Sequence, residues 1–67
     1  MKIGIVGLGL IGGSFGKAAV KAGHEVFGAD ISESVLQKAE LLCAVTARLT
    51  EKNAEILDLL ISAVNPS

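Results

Sequence analysis

Between residues 6 and 14 the chain reads VGLGLIGGS, so four of its eight glycines fall within nine positions. Gly7, Gly9 and Gly12 spell G-x-G-x-x-G, and eighteen positions beyond the last of them stands a carboxylate, Asp30. In this pattern the first glycine permits a tight turn and the second lets backbone approach a pyrophosphate. The third lets a helix pack closely on a strand. Free N–H groups at the start of that helix, around Leu10 to Gly12, would face the phosphates with the positive end of the helix dipole behind them. A carboxylate at the tip of a second strand accepts hydrogen bonds from adenosine ribose hydroxyls and repels a 2′-phosphate, which favours NAD over NADP. Arg48 is the only arginine in the chain, and none lies near Asp30 in sequence to welcome a phosphate. The candidate cofactor-binding residues are therefore Gly7, Leu8, Gly9, Leu10, Ile11, Gly12, Asp30 and Ile31. Glycines alone also serve turns and packing, and an aspartate ahead of a serine-capped helix also serves as a solvated turn residue. The placement between a strand and a helix is what turns the pattern toward a ligand.

Other polar positions carry less. Ser14 falls in the first helical turn, where it either faces the cofactor or simply packs as a small residue. His24 precedes the second strand, on the side away from the glycine loop, and reads as a surface residue. Cys43 follows an apolar helix end and reads as a buried, inert thiol. Asn65 ends the last strand on the side where ligands of open α/β sheets bind, with a turn role before Pro66 equally open. Lys17, Lys21, Lys38 and Lys52 read as solvated helix faces. No residue is assigned a catalytic or metal-binding role.

The elements that must hold these residues follow from hydrophobic periodicity. Lys2 to Val6 is a short β-branched run ending at Gly7, the pattern of a strand covered on both faces. From Leu10 to Ala22, Ile11, Phe15, Ala18, Ala19 and Ala22 recur at helical spacing, and Gly23 stops the helix. Residues 24 to 30 form a second strand, weakened by Gly28. Ser32 caps a second helix with Val35, Leu36, Ala39 and Leu42 on one face and Glu33 placed for the helix dipole. A two- or three-residue strand is expected around Ala44 to Thr46, a brief helical turn from Thr50 through Ile56, and an apolar interior-type strand from Leu59 to Val64. Alternating strands and helices give an α/β fold, a Rossmann-like parallel sheet with right-handed crossover helices, here the N-terminal half of a dinucleotide-binding domain.

Composition narrows the function classes. The chain has 67 residues, 51% hydrophobic and 3% aromatic, with a mean hydropathy of +0.60, so its core is built from small and branched aliphatic side chains. A chain this short buries about 60% of its unfolded surface, which makes self-sufficiency doubtful. Six basic and seven acidic residues leave a net charge of −1, giving no footprint for nucleic acid or an acidic membrane. One cysteine makes no internal disulfide, and a soluble, cytoplasmic protein is expected.

Residues 2 to 32, KIGIVGLGLIGGSFGKAAVKAGHEVFGADIS, resemble the N-terminus of the prephenate/arogenate dehydrogenases of tyrosine biosynthesis, whose phosphate loop continues as the G-L-G-L-I-G-G-S string found at residues 7 to 14. The similarity runs more loosely through LQKAELLCAV to DLLISAVNPS. It implies a Rossmann domain followed by a helical dimerisation domain, and a homodimer in the full-length form. It also implies hydride transfer from a cyclohexadienol to NAD(P) coupled to loss of CO2. Gly7, Gly9, Gly12 and Asp30 carry over as cofactor residues. The family's catalytic histidine and substrate-binding arginine have no counterpart here, so residues 1–67 are expected to be a partial dinucleotide-binding domain that meets its small-molecule substrate through further sequence. Gly16 and Lys17 stand where the family has bulkier apolar residues, and Cys43 stands where it turns on a glycine, so residues 43 to 53 are expected to be altered or poorly ordered. Two alternatives stay open: the cofactor domain of another NAD(P)-dependent dehydrogenase, of the β-hydroxyacid or pyrroline-carboxylate reductase type, and a non-catalytic nucleotide-binding module.

Overall fold

The computed structural model describes residues 1–63, with Leu10 and Ile11 described through their backbone. Seven elements alternate along them: β1 (Lys2–Val6), α1 (Leu10–Lys21), β2 (Glu25–Ala29), α2 (Glu33–Leu41), β3 (Ala47–Arg48), α3 (Glu51–Ala54) and β4 (Leu59–Ser62). The strands pair in parallel in the order β3-β2-β1-β4. From β1 to β3 the chain steps one way across the sheet, and from β3 to β4 it returns past two strands. Right-handed crossovers therefore put α1 and α2 on one face and the β3–β4 connection on the other. The strand order reverses between β1 and β4, and ligands of such sheets bind beyond the carboxyl ends of the strands at that reversal.

Ile3 and Ile5 of β1 stand in register with Val26 and Gly28 of β2, and Ile5 and Val26 are completely buried. Around them gather Leu8, Ala19, Leu36, Ala39, Ala44 and Val45, with Val20, Val35 and Ile61 at the margin. On the other face Phe27 is buried, and a side chain at Gly4 would meet Leu57 and Leu60.

The inward edge of the helix α1 is only partly the one its periodicity predicts. Ala19 is buried as expected, but Phe15, Ala18 and Ala22 are exposed, and Gly12 and Gly16 are buried in their stead. The reason is proximity: a Cβ at Gly16 would strike the carbonyl oxygen of Ala44, and one at Gly12 would strike that of Gly7. Only the glycine edge of the helix can lie this near the backbone, so Gly16, a propensity defect by sequence alone, is a point of closest approach. The helix α2 buries Leu36 and Ala39 as expected, but Leu42 is exposed.

After α2 the expected strand is displaced. Ala44 and Val45 plug into the core as irregular chain, Thr46 exchanges bonds with Val26 through both its N–H and its Oγ1, and the ladder begins only at Ala47. Cys43 is exposed, not buried. It occupies a left-handed turn, φ 57°, that carries the chain off the helix and leaves the interior to its two successors. The strand β4 lies at the sheet edge with Leu59 and Leu60 exposed. The expected last strand residue, Val64, lies outside the described residues. Among the described residues no helix is long and apolar enough to cross a membrane.

Candidate functional site

The glycine loop occupies the carboxyl end of β1, beside the reversal of strand order. Gly7 adopts φ 93°, a left-handed conformation that costs glycine little, and its N–H bonds the Ala29 carbonyl at 2.8 Å, tying the loop to the end of β2. Gly9 is the residue at which α1 begins. It offers no side-chain cap, and the first turn holds no acidic residue. The first helical bond closes from Gly13 N–H to the Gly9 carbonyl at 2.8 Å, so the preceding N–H groups of the first turn have no carbonyl partner within the helix. Among the described residues, a Cβ on Gly9 would meet nothing within 4 Å, so the helix start is open at Gly9. At Gly12 a Cβ would collide with the Gly7 carbonyl and lie 3.3 Å from the Cβ of Ala63. The three glycines thus do three different jobs: Gly7 turns, Gly9 leaves room, and Gly12 permits contact.

Asp30 follows β2 directly and reaches back to this loop. Its Oδ2 accepts from the Leu8 N–H at 2.7 Å and its Oδ1 from the Ser32 N–H at 2.8 Å. These bonds, that of Ser32 first, hold the Asp30 carboxyl below its ordinary value against a small opposing effect of burial. A depressed value in the folded state means that the carboxylate favours folding above its unfolded pKa, about 3.9, and that this contribution is lost as pH falls through the folded value. Each carboxylate oxygen keeps a second lone pair for a hydroxyl donor. Ile31 beside it is fully exposed.

The remaining candidates divide by place. Ser14 and Lys17 join Leu8, Gly9 and Gly13 along a groove of about 480 Å³ that runs between α1 and α2. Arg48 is engaged by Glu33 at 2.8 Å and by Glu40 at 2.9 Å, which raises its pKa through Glu40 first and Glu33 second. His24 lies at the opposite, amino end of the strands, its Nδ1 3.2 Å from the Met1 amino nitrogen. Lys17, Lys21, Lys38 and Lys52 are exposed. Asn65 lies outside the described residues, as do the side chains of Leu10 and Ile11. Among the described residues no three His, Cys, Asp or Glu side chains come together as a metal site.

One pair escapes a motif reading. The side chain of Leu8 is buried over Gly28, where a Cβ would lie 2.8 Å from Leu8 Cδ1 and would also strike Val45. A glycine inside a strand marks such close approaches, and that was the signal available in the sequence.

The site fits the phosphate and ribose portions of a dinucleotide: open space at Gly9, a helix start packed against the loop at Gly12, and a carboxylate alongside. Residues 2–67 match the family model described as the NAD binding domain of 6-phosphogluconate dehydrogenase. The match is to this family and not specifically to the prephenate/arogenate dehydrogenases that the loop string resembles. No curated protein and no solved structure matches the chain.

Proposed function

The chain belongs to the NAD binding domain family of 6-phosphogluconate dehydrogenase, and on that premise we propose that residues 1–67 hold NAD for a dehydrogenase of the 6-phosphogluconate/β-hydroxyacid type. The observation that carries the reading is the uncapped start of α1 under open space at Gly9, with Asp30 hydrogen-bonded to the same loop. The pyrophosphate lies on the first-turn N–H groups between Gly9 and Gly12, Asp30 takes the ribose hydroxyls, and Ile31 offers apolar surface beside them. NAD is favoured over NADP because Asp30 is ionised at neutral pH and the guanidinium of Arg48 is engaged by two glutamates. When bound, the nicotinamide supplies the hydride chemistry, while the protein supplies binding and orientation.

A prephenate/arogenate-type oxidation is the second reading, supported by the G-L-G-L-I-G-G-S string at residues 7 to 14. Both readings use the same cofactor residues. They are tested together by Gly9→Val, whose Cβ meets nothing within 4 Å among the described residues but occupies the space given to the pyrophosphate. The variant should keep its circular dichroism and lose NAD affinity by about tenfold or more, a change of about 1.4 kcal/mol. Unchanged affinity in a folded Gly9→Val protein would refute the site.

A further inference from the structure

We infer that Asp30 positions the phosphate loop in addition to receiving the ribose, so that pyrophosphate affinity depends on a carboxylate that pyrophosphate itself should avoid. This rests on the dinucleotide reading above. The residue between the first two glycines, Leu8, is held from two sides. Its side chain is buried over Gly28, and its N–H is bound by Asp30 Oδ2 at 2.7 Å. The other oxygen, Oδ1, takes the N–H of Ser32 at 2.8 Å, and Ser32 is the capping residue of α2. One carboxylate therefore bridges the phosphate loop and the start of the second helix.

Two consequences follow for the ligand. The Leu8 N–H is already engaged, which leaves the pyrophosphate to the first turn of α1. The N–H groups of Leu10 to Gly12 are held by the helix, whose first bond takes the Gly9 carbonyl, whereas the direction of the Gly9 N–H beside them depends on the peptide joining Leu8 to Gly9, and glycine has the widest conformational freedom of any residue. Gly9 has no side chain to fix it and nothing within 4 Å of where one would start. What orients the peptide is the residue before it, and what holds that residue's N–H is Asp30. A ribose hydroxyl bonded to the same carboxylate would then bind to an already ordered loop.

Charge and positioning predict opposite signs, which makes the inference testable. If Asp30 acted near the phosphates only through its charge, its removal would strengthen the binding of inorganic pyrophosphate, which carries no ribose. Positioning predicts weaker binding. The full chain and its Asp30→Ala and Asp30→Asn variants are compared by amide hydrogen exchange without ligand and by titration with inorganic pyrophosphate and with NAD. The expected result is faster exchange of the Leu8 amide in both variants, with Val26 unchanged, and pyrophosphate affinity lowered about threefold or more, the scale of one hydrogen bond. Asp30→Asn, which keeps one acceptor oxygen, should lie between wild type and Asp30→Ala and serves as the folded comparison if Asp30→Ala unfolds. Unchanged Leu8 exchange overturns the inference, and so does pyrophosphate affinity that holds or rises while NAD affinity falls. A wild-type protein that binds neither ligand overturns the dinucleotide reading itself, and the positioning role with it.

Discussion

At their carboxyl ends α1 and α2 close with the same pair of bonds: His24 N–H to the Ala19 carbonyl and Gly23 N–H to that of Val20 after the first, Ala44 N–H to Ala39 and Cys43 N–H to Glu40 after the second. At their amino ends they part. The Ser32 hydroxyl accepts from Val35 N–H and Glu33 lies in the first turn of α2, whereas α1 begins at a bare Gly9 with neither a cap nor an acidic residue. The short α3 follows α2, with Thr50 and Asn53 capping each other's backbone. The two capped helices thus satisfy a first-turn donor with a side chain of their own. The one that opens the glycine loop does not, and on the proposed reading that difference, set beside the open space at Gly9 and the neighbouring Asp30, is what separates a site from a scaffold.

The largest expected effect breaks the contact that makes α1 unusual. Gly12→Ala would drive a Cβ into the Gly7 carbonyl oxygen, and backbone on both sides leaves nothing flexible to yield. Overpacking of this kind costs about 1–3 kcal/mol, against a total stability of about 3–10 kcal/mol for a domain of this length. Urea unfolding should show a loss at the upper end of that range together with loss of NAD binding. A variant as stable as wild type would show that the helix stands further from the loop.

The next effect erases the difference between the helix starts. Gly9 has φ −68° and ψ −157°, at the margin of the extended region and with the negative φ that a side chain adopts, so Gly9→Asp should give α1 the cap and the negative charge that α2 already has. Capping and dipole effects together predict a gain of up to about 1 kcal/mol in thermal unfolding. The same carboxylate stands where the pyrophosphate is proposed to lie, so NAD titration should show binding lost. A protein that becomes more stable and still binds NAD would mean that the open helix start is not the anion site.

Much of this was legible because the informative residues act locally. Gly7, Gly9, Gly12 and Asp30 follow from a spacing that fixes a turn, an approach and a contact, and Ser32 and Thr50 announce the helices they cap. The α/β alternation was legible for the same reason. What escaped depends on how close two elements lie. A helical wheel ranks Phe15 above Gly16 for burial, yet the inward face is chosen by where the Gly7 and Ala44 carbonyls stand, a tertiary distance with no sequence period. The same holds for Ala44 and Val45, whose apolar run reads as strand but is core-filling chain, and for Cys43, whose apolar neighbours suggest burial while the helix end turns it outward.

The smallest effect tests the end at which the helices agree. Gly23 and Cys43 occupy equivalent positions, one residue past the last helical turn, with φ 93° and φ 57°. A side chain in the left-handed region costs about 1–2 kcal/mol, and Cys43 bears that cost on an exposed surface with no disulfide in return. Against it stands the greater freedom glycine has in the unfolded chain, about 0.4–1 kcal/mol. The difference leaves Cys43→Gly stabilising by about 0.5–1 kcal/mol, which for a domain of this size raises the melting temperature by about 2–8 °C. NAD affinity should not change, because the position belongs to the shared closing motif and not to the open helix start. The reciprocal Gly23→Cys should cost more than Cys43→Gly gains, since φ 93° lies further from the left-handed well near 57°. A lower melting temperature for Cys43→Gly would show that the Cys43 side chain makes a contribution that outweighs its backbone.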